Sequence, residues 1–106
     1  MNFEELNKAV NEWAKNKGIH NKSDAYLQFD KTLEEVIELK HEVFLHQAKD
    51  CHASIDKIKS ETGDVLVTLI NMAHFLEIDL TECLEVAYNK INKRTGQMVA
   101  GKFVKD

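Results

Sequence analysis

Apolar residues recur every three or four positions along most of the chain, which is the spacing of one face of an α-helix. The first such stretch runs from about Asn2 to Lys17. Its apolar stripe consists of Phe3, Leu6, Val10 and Trp13. Gly18 follows, and a glycine at this place is typical of a helix end. The pattern therefore predicts a first amphipathic helix.

A second helix is predicted to start near Ser23 or Asp24, or after Asp30, and to reach about Ala48. Its apolar positions are Leu33, Val36, Ile37, Val43 and Phe44. Polar residues fill the stretch 49–54, which we therefore expect to be a loop.

The third predicted helix, from about Ile55 to Leu76, is the most apolar of the chain. It carries a heptad-like seam of Ile58, Thr62, Val65, Leu69, Met72 and Leu76. Between Val65 and Leu76 the helix is apolar nearly all round, so we expect it to be the central, buried element.

A fourth helix is predicted after Asp79, which has the character of an N-cap, with Glu82 three positions further on. Its stripe consists of Leu80, Leu84, Ala87 and Ile91, and its end is expected near Thr95–Gly96. The tail 97–106 receives no assignment. The chain has no proline and only four glycines, and this scarcity of helix breakers supports an all-α fold.

Length and charge then limit the function classes. The 106 residues predict a single domain spanning 1–106, and a chain this short gains from pairing with copies of itself. The net charge of −4 argues against a nucleic-acid polymer as partner, and no apolar run approaches the ~20 residues of a membrane span. Met1–Trp13 is acidic and amphipathic, unlike a secretory leader, and the two cysteines make no disulfide framework. We therefore expect a cytoplasmic protein with reduced thiols.

Acidic residues concentrate on two of the predicted helices. Glu35, Glu38 and Glu42 share one face of the second helix, with Glu34 beside them and Lys31 one turn earlier. On the third helix a polar stripe of Glu61, Asp64, Thr68 and Asn71 interrupts the apolar surface. Half-buried carboxylates are costly unless a cation or hydrogen bonds compensate them. Two such carboxylate pairs on neighbouring helices would form an oxygen cage suited to Mg²⁺, or to Mn²⁺ as a substitute.

The two acidic motifs and their surroundings resemble a known family. Segments 34–38 (EEVIE) and 61–64 (ETGD) have the form EExxE…ExxD, with 22 residues between them. Their flanks, and the closing stretches 87–96 (AYNKINKRTG) and 101–103 (GKF), agree with the same family. The chain thus resembles the MazG-like nucleoside triphosphate pyrophosphohydrolases of the all-α NTP pyrophosphatase superfamily. One departure is Ile37, where many members have glycine.

This resemblance implies a helical bundle completed by other subunits, as a tetramer built from two dimers or as a dimer. It implies that Glu35, Glu38, Glu61 and Asp64 hold the metal and that Glu34, Glu35 and Glu38 are catalytic. The substrate would be a ribo- or deoxyribonucleoside triphosphate, cleaved to the monophosphate and pyrophosphate in nucleotide-pool house-cleaning. The preferred base stays open.

Phosphates also need cationic side chains. The candidates for binding the phosphates are Lys31, Lys90, Lys93 and Arg94, and Asn89 and Asn92 are candidates for contacting the base or the sugar. Basic residues near a helix C-terminus are also explained by the helix dipole alone.

Two alternatives come from other classes. The first is a helical interaction module that has kept the bundle and lost catalysis, although such a module has no need for two acids on an apolar helix. The second is a zinc site at Cys51, His52 and His46, whose spacing fits no standard pattern. We interpret Trp13 as a core or interface residue; the alternative is that its ring stacks on a base.

Overall fold

The computed structural model describes all residues, 1–106, and confirms the all-α fold class. Five helices follow one another along the chain: α1 (Phe3–Asn16), α2 (Ile19–Lys22), α3 (Ala25–Gln47), α4 (Ile55–Leu76) and α5 (Leu80–Ile91). A β-hairpin of β1 (Gly96–Val99) and β2 (Lys102–Lys105) closes the chain.

Polar caps determine where the helices begin. The Asp24 carboxylate accepts a hydrogen bond of 2.8 Å from the Leu27 amide, so the second predicted helix begins after Asp24 and not after Asp30. Ser54 and Asp79 cap α4 and α5 in the same way. These bonds satisfy amides that have no partner within the helix. The loop predicted over 49–54 is present between α3 and α4.

The core lies where α3 and α4 pack antiparallel. Contacts between Gln28 and Asn71 and between Thr32 and Thr68 run in opposite chain directions, which defines this helical hairpin. α4 carries four of the six buried residues of the chain: Thr68, Ile70, Asn71 and Ala73. α4 is therefore central, as predicted. It is not buried all round, because Leu66 and Leu76 remain exposed within one chain.

One expectation about the C-terminal region was wrong, and the tail, which received no assignment, forms regular structure. α5 ends at Ile91 and not near Thr95–Gly96, because residues 92 and 93 form a turn, with the Arg94 amide donating to the Ile91 carbonyl at 3.1 Å. The tail forms an antiparallel hairpin in which Val99 pairs with Lys102. Ala100 and Gly101 between them both have positive φ, as a two-residue type I′ turn requires.

A single chain is unusually open. Its accessible surface is 8387 Å², whereas a compact monomer of this mass exposes about 6,100 Å². Its radius of gyration is 16.5 Å, against about 13 Å for a compact domain of this length. α5 contributes several exposed apolar side chains, among them Leu84, which is 71% exposed. The four-helix bundle is thus not closed within one chain. No helix combines the length and the apolar character needed to cross a membrane.

Candidate metal centre and adjoining cavity

Three of the four predicted metal ligands converge between α3 and α4. Oxygen atoms of Glu35, Glu38 and Glu61 lie within 4.8 Å of one another. In an octahedral Mg²⁺ site with ligand distances near 2.1 Å, opposite ligands lie about 4.2 Å apart. The cluster therefore needs only a small contraction to bind one ion. The i, i+3 spacing of Glu35 and Glu38 places both on the face of α3 that meets α4.

The Glu61 carboxylate is the least compensated member of the cluster. Its Oε2 is buried from water and has no hydrogen-bond partner in the protein. One turn beyond Glu38, Glu42 also has a buried Oε2 without a partner. A buried carboxylate oxygen without a donor is costly, and a cation is the compensation that such a donor set fits. The residues present are therefore suited to a hard divalent cation.

The electrostatics of Glu35 point in the same direction. Burial raises the pKa of Glu35, and the nearby carboxylates of Glu38 and Asp64 raise it further. Lys31 opposes this shift, since its Nζ lies 3.6 Å from Glu35 Oε1. Without a cation the cluster thus makes ionisation of Glu35 less favourable, and bound positive charge would oppose this shift.

Glu34 and Lys31 form a separate ion pair at the edge of the site. Lys31 Nζ lies 3.0 Å from Glu34 Oε2, and the Glu34 side chain is largely exposed. This contact raises the pKa of Lys31, so the ammonium remains charged. Glu34 does not join the three converging acids, and its predicted catalytic role is not supported by direct contact with them.

Asp64 lies beside the cluster and not within it. It lines a cavity of about 470 Å³ together with Glu35 and Lys31. The cavity extends from these charged groups toward Trp13 on α1 and Asn71 on α4. Candidate metal ligands and a candidate phosphate-binding lysine therefore border one space.

A chain of hydrogen bonds ties α3 to α4 next to the cavity. The Thr32 hydroxyl donates to Thr68 Oγ1 at 2.8 Å, and Thr68 donates to the Val65 carbonyl at 2.7 Å. Asn71 Nδ2 donates to Gln28 Oε1 at 3.3 Å. Thr68 and Asn71 were visible in the sequence as part of the polar stripe. Gln28 and Thr32 were missed, although they lie seven and three residues before Glu35 and so share its face of α3.

The predicted substrate-binding residues of the last helix lie elsewhere. Asn89 lines a groove formed entirely by α5 residues, and none of the ten residues lining the acidic cavity comes from α5. Asn89, Lys90, Asn92 and Arg94 make no side-chain hydrogen bond or ion pair within the chain. The longer predicted helix would have placed Lys90 and Arg94 on one helix face. Because α5 ends at Ile91, Arg94 lies outside the helix and the two residues do not share a face.

The EExxE…ExxD pattern lies on two packed helices, α3 and α4, whose carboxylates converge. A family model described as the MazG nucleotide pyrophosphohydrolase domain matches residues 25–99, well over half of the chain. The chain belongs to the MazG family. No curated protein and no solved structure matches the chain significantly. The match covers α3, α4 and α5 and so includes every predicted site residue of this MazG domain.

A second group of ligand-type side chains lies in the loop after α3. Asp50 Oδ1 accepts from the His52 ring at 3.0 Å, and Cys51 Sγ lies 3.4 Å from the same ring nitrogen. All three are exposed, and His46 is not part of the group. Hydrogen bonds from His52 account for the lowered pKa of Asp50. Both cysteines of the chain are free.

Proposed function

We propose that this MazG domain hydrolyses nucleoside triphosphates to the monophosphate and pyrophosphate with Mg²⁺, or with Mn²⁺ as a substitute. The family supplies the class, a nucleotide pyrophosphohydrolase. The observation that carries the proposal is the buried Glu61 oxygen without a partner, beside two further carboxylates. An interaction module without catalysis would gain nothing from this costly arrangement.

Each acid has a role in this proposal. Glu35, Glu38 and Glu61 would hold the metal, with Asp64 completing the set from the edge of the cavity. When bound, Mg²⁺ supplies positive charge to the phosphates and activates water. Glu34, Glu35 and Glu38 are the candidates for accepting the proton of the attacking water.

The bond that breaks joins the α-phosphorus to the bridging oxygen. Oxygen of water attacks the α-phosphorus, the water proton passes to a carboxylate, and pyrophosphate leaves with the bridging oxygen. Lys31 borders the same cavity as the acids and remains charged, so it suits an anionic phosphate there. Phosphoryl transfer depends mainly on such positioning and charge neutralisation.

We also propose that the active form is a homo-oligomer, a tetramer built from two dimers or a dimer. The excess of about 2,300 Å² of surface over a compact monomer is the amount that obligate subunit contacts bury. In such an assembly α5 of a second copy, with the residues just after it, is the source of Asn89, Lys90, Asn92 and Arg94 for the acidic cavity. The single domain would span 1–106 and act in the cytoplasm on free nucleotides, with neither a nucleic-acid polymer nor a membrane as partner.

The reaction is tested by product analysis. The purified full chain is incubated with Mg²⁺ and a panel of NTPs and dNTPs in oxygen-18 water. We expect label in the nucleoside monophosphate, unlabelled pyrophosphate, and loss of turnover with a chelator that excess Mg²⁺ restores. A nucleoside diphosphate and orthophosphate as first products would exclude this reaction class.

A further inference from the structure

The loop between α3 and α4 has a backbone that is held by hydrogen bonds at both ends. Lys49 takes a positive φ of 57°, and the Asp50 amide donates to the Leu45 carbonyl at 3.0 Å. This bond closes a Schellman motif, a common way for a helix to end. The Ala53 amide then donates to the Asp50 carbonyl at 3.1 Å. Residues 50–52 therefore lie in a turn with a defined backbone.

Three atoms of the kinds that ligate metals converge in this turn. Asp50 Oδ1 accepts from the His52 backbone amide at 2.8 Å and lies 3.0 Å from Nδ1 of the His52 ring. Cys51 Sγ lies 3.4 Å from the same Nδ1. The three ligand atoms lie within 4.8 Å of one another. The backbone amide holds the carboxylate toward the ring, so side chains of three consecutive residues surround one point.

A single proton satisfies only part of this cluster. The His52 Nδ1 either carries a hydrogen, which it donates to the Asp50 carboxylate, or is bare and accepts from the Cys51 thiol. In either tautomer one of the two contacts has no hydrogen directed along it. A catalytic triad is also excluded, because its acid and its nucleophile contact different nitrogens of the histidine. A cation bonded to all three atoms would satisfy each of them.

The spacing of the three atoms fits a tetrahedral transition-metal ion. With bonds of about 2.1 Å to nitrogen and oxygen and about 2.3 Å to sulfur, tetrahedral zinc separates nitrogen from oxygen by about 3.4 Å and nitrogen from sulfur by about 3.6 Å. The corresponding contacts in the turn are 3.0 and 3.4 Å. Thiolate and imidazole ligands favour Zn²⁺ and similar ions over Mg²⁺, which prefers oxygen.

We propose that Asp50, Cys51 and His52 form a second metal site, which binds Zn²⁺ or a chemically similar divalent transition-metal ion. The side chains of Asp50 and His52 are 39% and 80% exposed, so a fourth ligand can be water. The site shares no residue with the carboxylate centre. α3 ends at Gln47, nine residues beyond Glu38 and about 14 Å further along the helix, so each centre binds its own ion.

The test uses Co²⁺ as the probe, because it occupies zinc sites and its bond to a thiolate absorbs in the near ultraviolet. The full chain, kept reduced with a phosphine, is titrated with Co²⁺ in the presence of excess Mg²⁺, and Zn²⁺ is then added. We expect a thiolate-to-cobalt absorption band that saturates at one ion per chain and disappears as Zn²⁺ displaces Co²⁺. The carboxylate centre cannot produce this band, because it contains no sulfur.

Variants assign the band to the three residues. Cys51→Ser should abolish it. Asp50→Asn and His52→Gln should each weaken Co²⁺ binding at least as much as the about 10- to 100-fold that loss of an indirect partner of a metal site costs. Cys83→Ser is the matched control, since Cys83 is the other free and exposed cysteine and belongs to no ligand cluster. His46→Gln is the control for histidine, because His46 lies outside the cluster. Every changed side chain is exposed, and circular dichroism verifies folding.

A second readout does not depend on Co²⁺. Both cysteines are alkylated with iodoacetamide and followed by peptide mass spectrometry. Zn²⁺ should slow the labelling of Cys51 and leave the labelling of Cys83 unchanged. Three spectroscopic outcomes overturn the inference: no thiolate-to-cobalt band, a band that survives in Cys51→Ser, or unchanged Co²⁺ affinity in Asp50→Asn or in His52→Gln. Equal protection of both cysteines by Zn²⁺ overturns it as well.

Discussion

Glu61→Gln is the substitution that most directly tests the metal centre. The carboxylate oxygens of the cluster lie within 4.8 Å of one another, and two unit charges at that upper distance repel by about 3.5 kcal/mol at an effective dielectric constant near 20. Glu61 faces two such neighbours, Glu35 and Glu38. The glutamine amide removes this charge and offers a donor to Glu35 or Glu38. We therefore expect the metal-free protein to gain about 1–3 kcal/mol in its free energy of unfolding.

The same substitution is expected to abolish stabilisation by the metal. A ligand that binds only the folded protein raises the free energy of unfolding by about 1.4 kcal/mol when its concentration is ten times its Kd. Thermal and urea unfolding with Mg²⁺ and with chelator should show this gain in the unmodified chain and not in Glu61→Gln.

Glu12→Gln on α1, at an exposed position, serves as the control and should behave like the unmodified chain. A Glu61→Gln protein that is less stable without metal, and that keeps the full Mg²⁺ response, would refute the assignment.

Three further predictions concern the rest of the molecule. Burial, then the charges of His74 and Lys15, lower the pKa of His20, whose ring stacks on that of His74 with 3.5 Å between centroids. The free energy of unfolding should therefore fall as the pH drops below 6.5, the ordinary pKa of histidine. His20→Phe should remove this contribution to the pH dependence of thermal unfolding. Leu84→Asp should shift light scattering toward the monomer, since this exposed leucine is a proposed subunit contact; an unchanged molar mass would argue against it. Arg94→Ala should lower kcat/KM with Mg²⁺ affinity unchanged in titration, because Arg94 is proposed to bind the phosphates of the substrate and not the metal; unchanged kcat/KM would exclude that role.

The helical plan was predictable from local patterns because each helix carries its own signals. Asp24, Ser54 and Asp79 cap backbone amides within three residues, and the apolar stripes follow the helical period, so neither depends on distant parts of the chain. The two acidic motifs are also local, since residues three positions apart on a helix share a face whatever packs against them. The C-terminal hairpin was missed because its type I′ turn uses Ala100, an unusual residue at positive φ.

Other features were decided only when α3 packed against α4. Whether Glu61 faces Glu35 and Glu38 depends on how far α3 and α4 are shifted along each other. The residue pattern within one helix does not determine that shift. The same register pairs Gln28 with Asn71, so the buried oxygen beside the cavity arises from tertiary contact. The sequence by itself thus determined the helices, the acidic motifs and the family resemblance. The tertiary structure decided which carboxylates meet, where the cavity lies, and that α5 is left uncovered in one chain, because these follow from packing between distant segments.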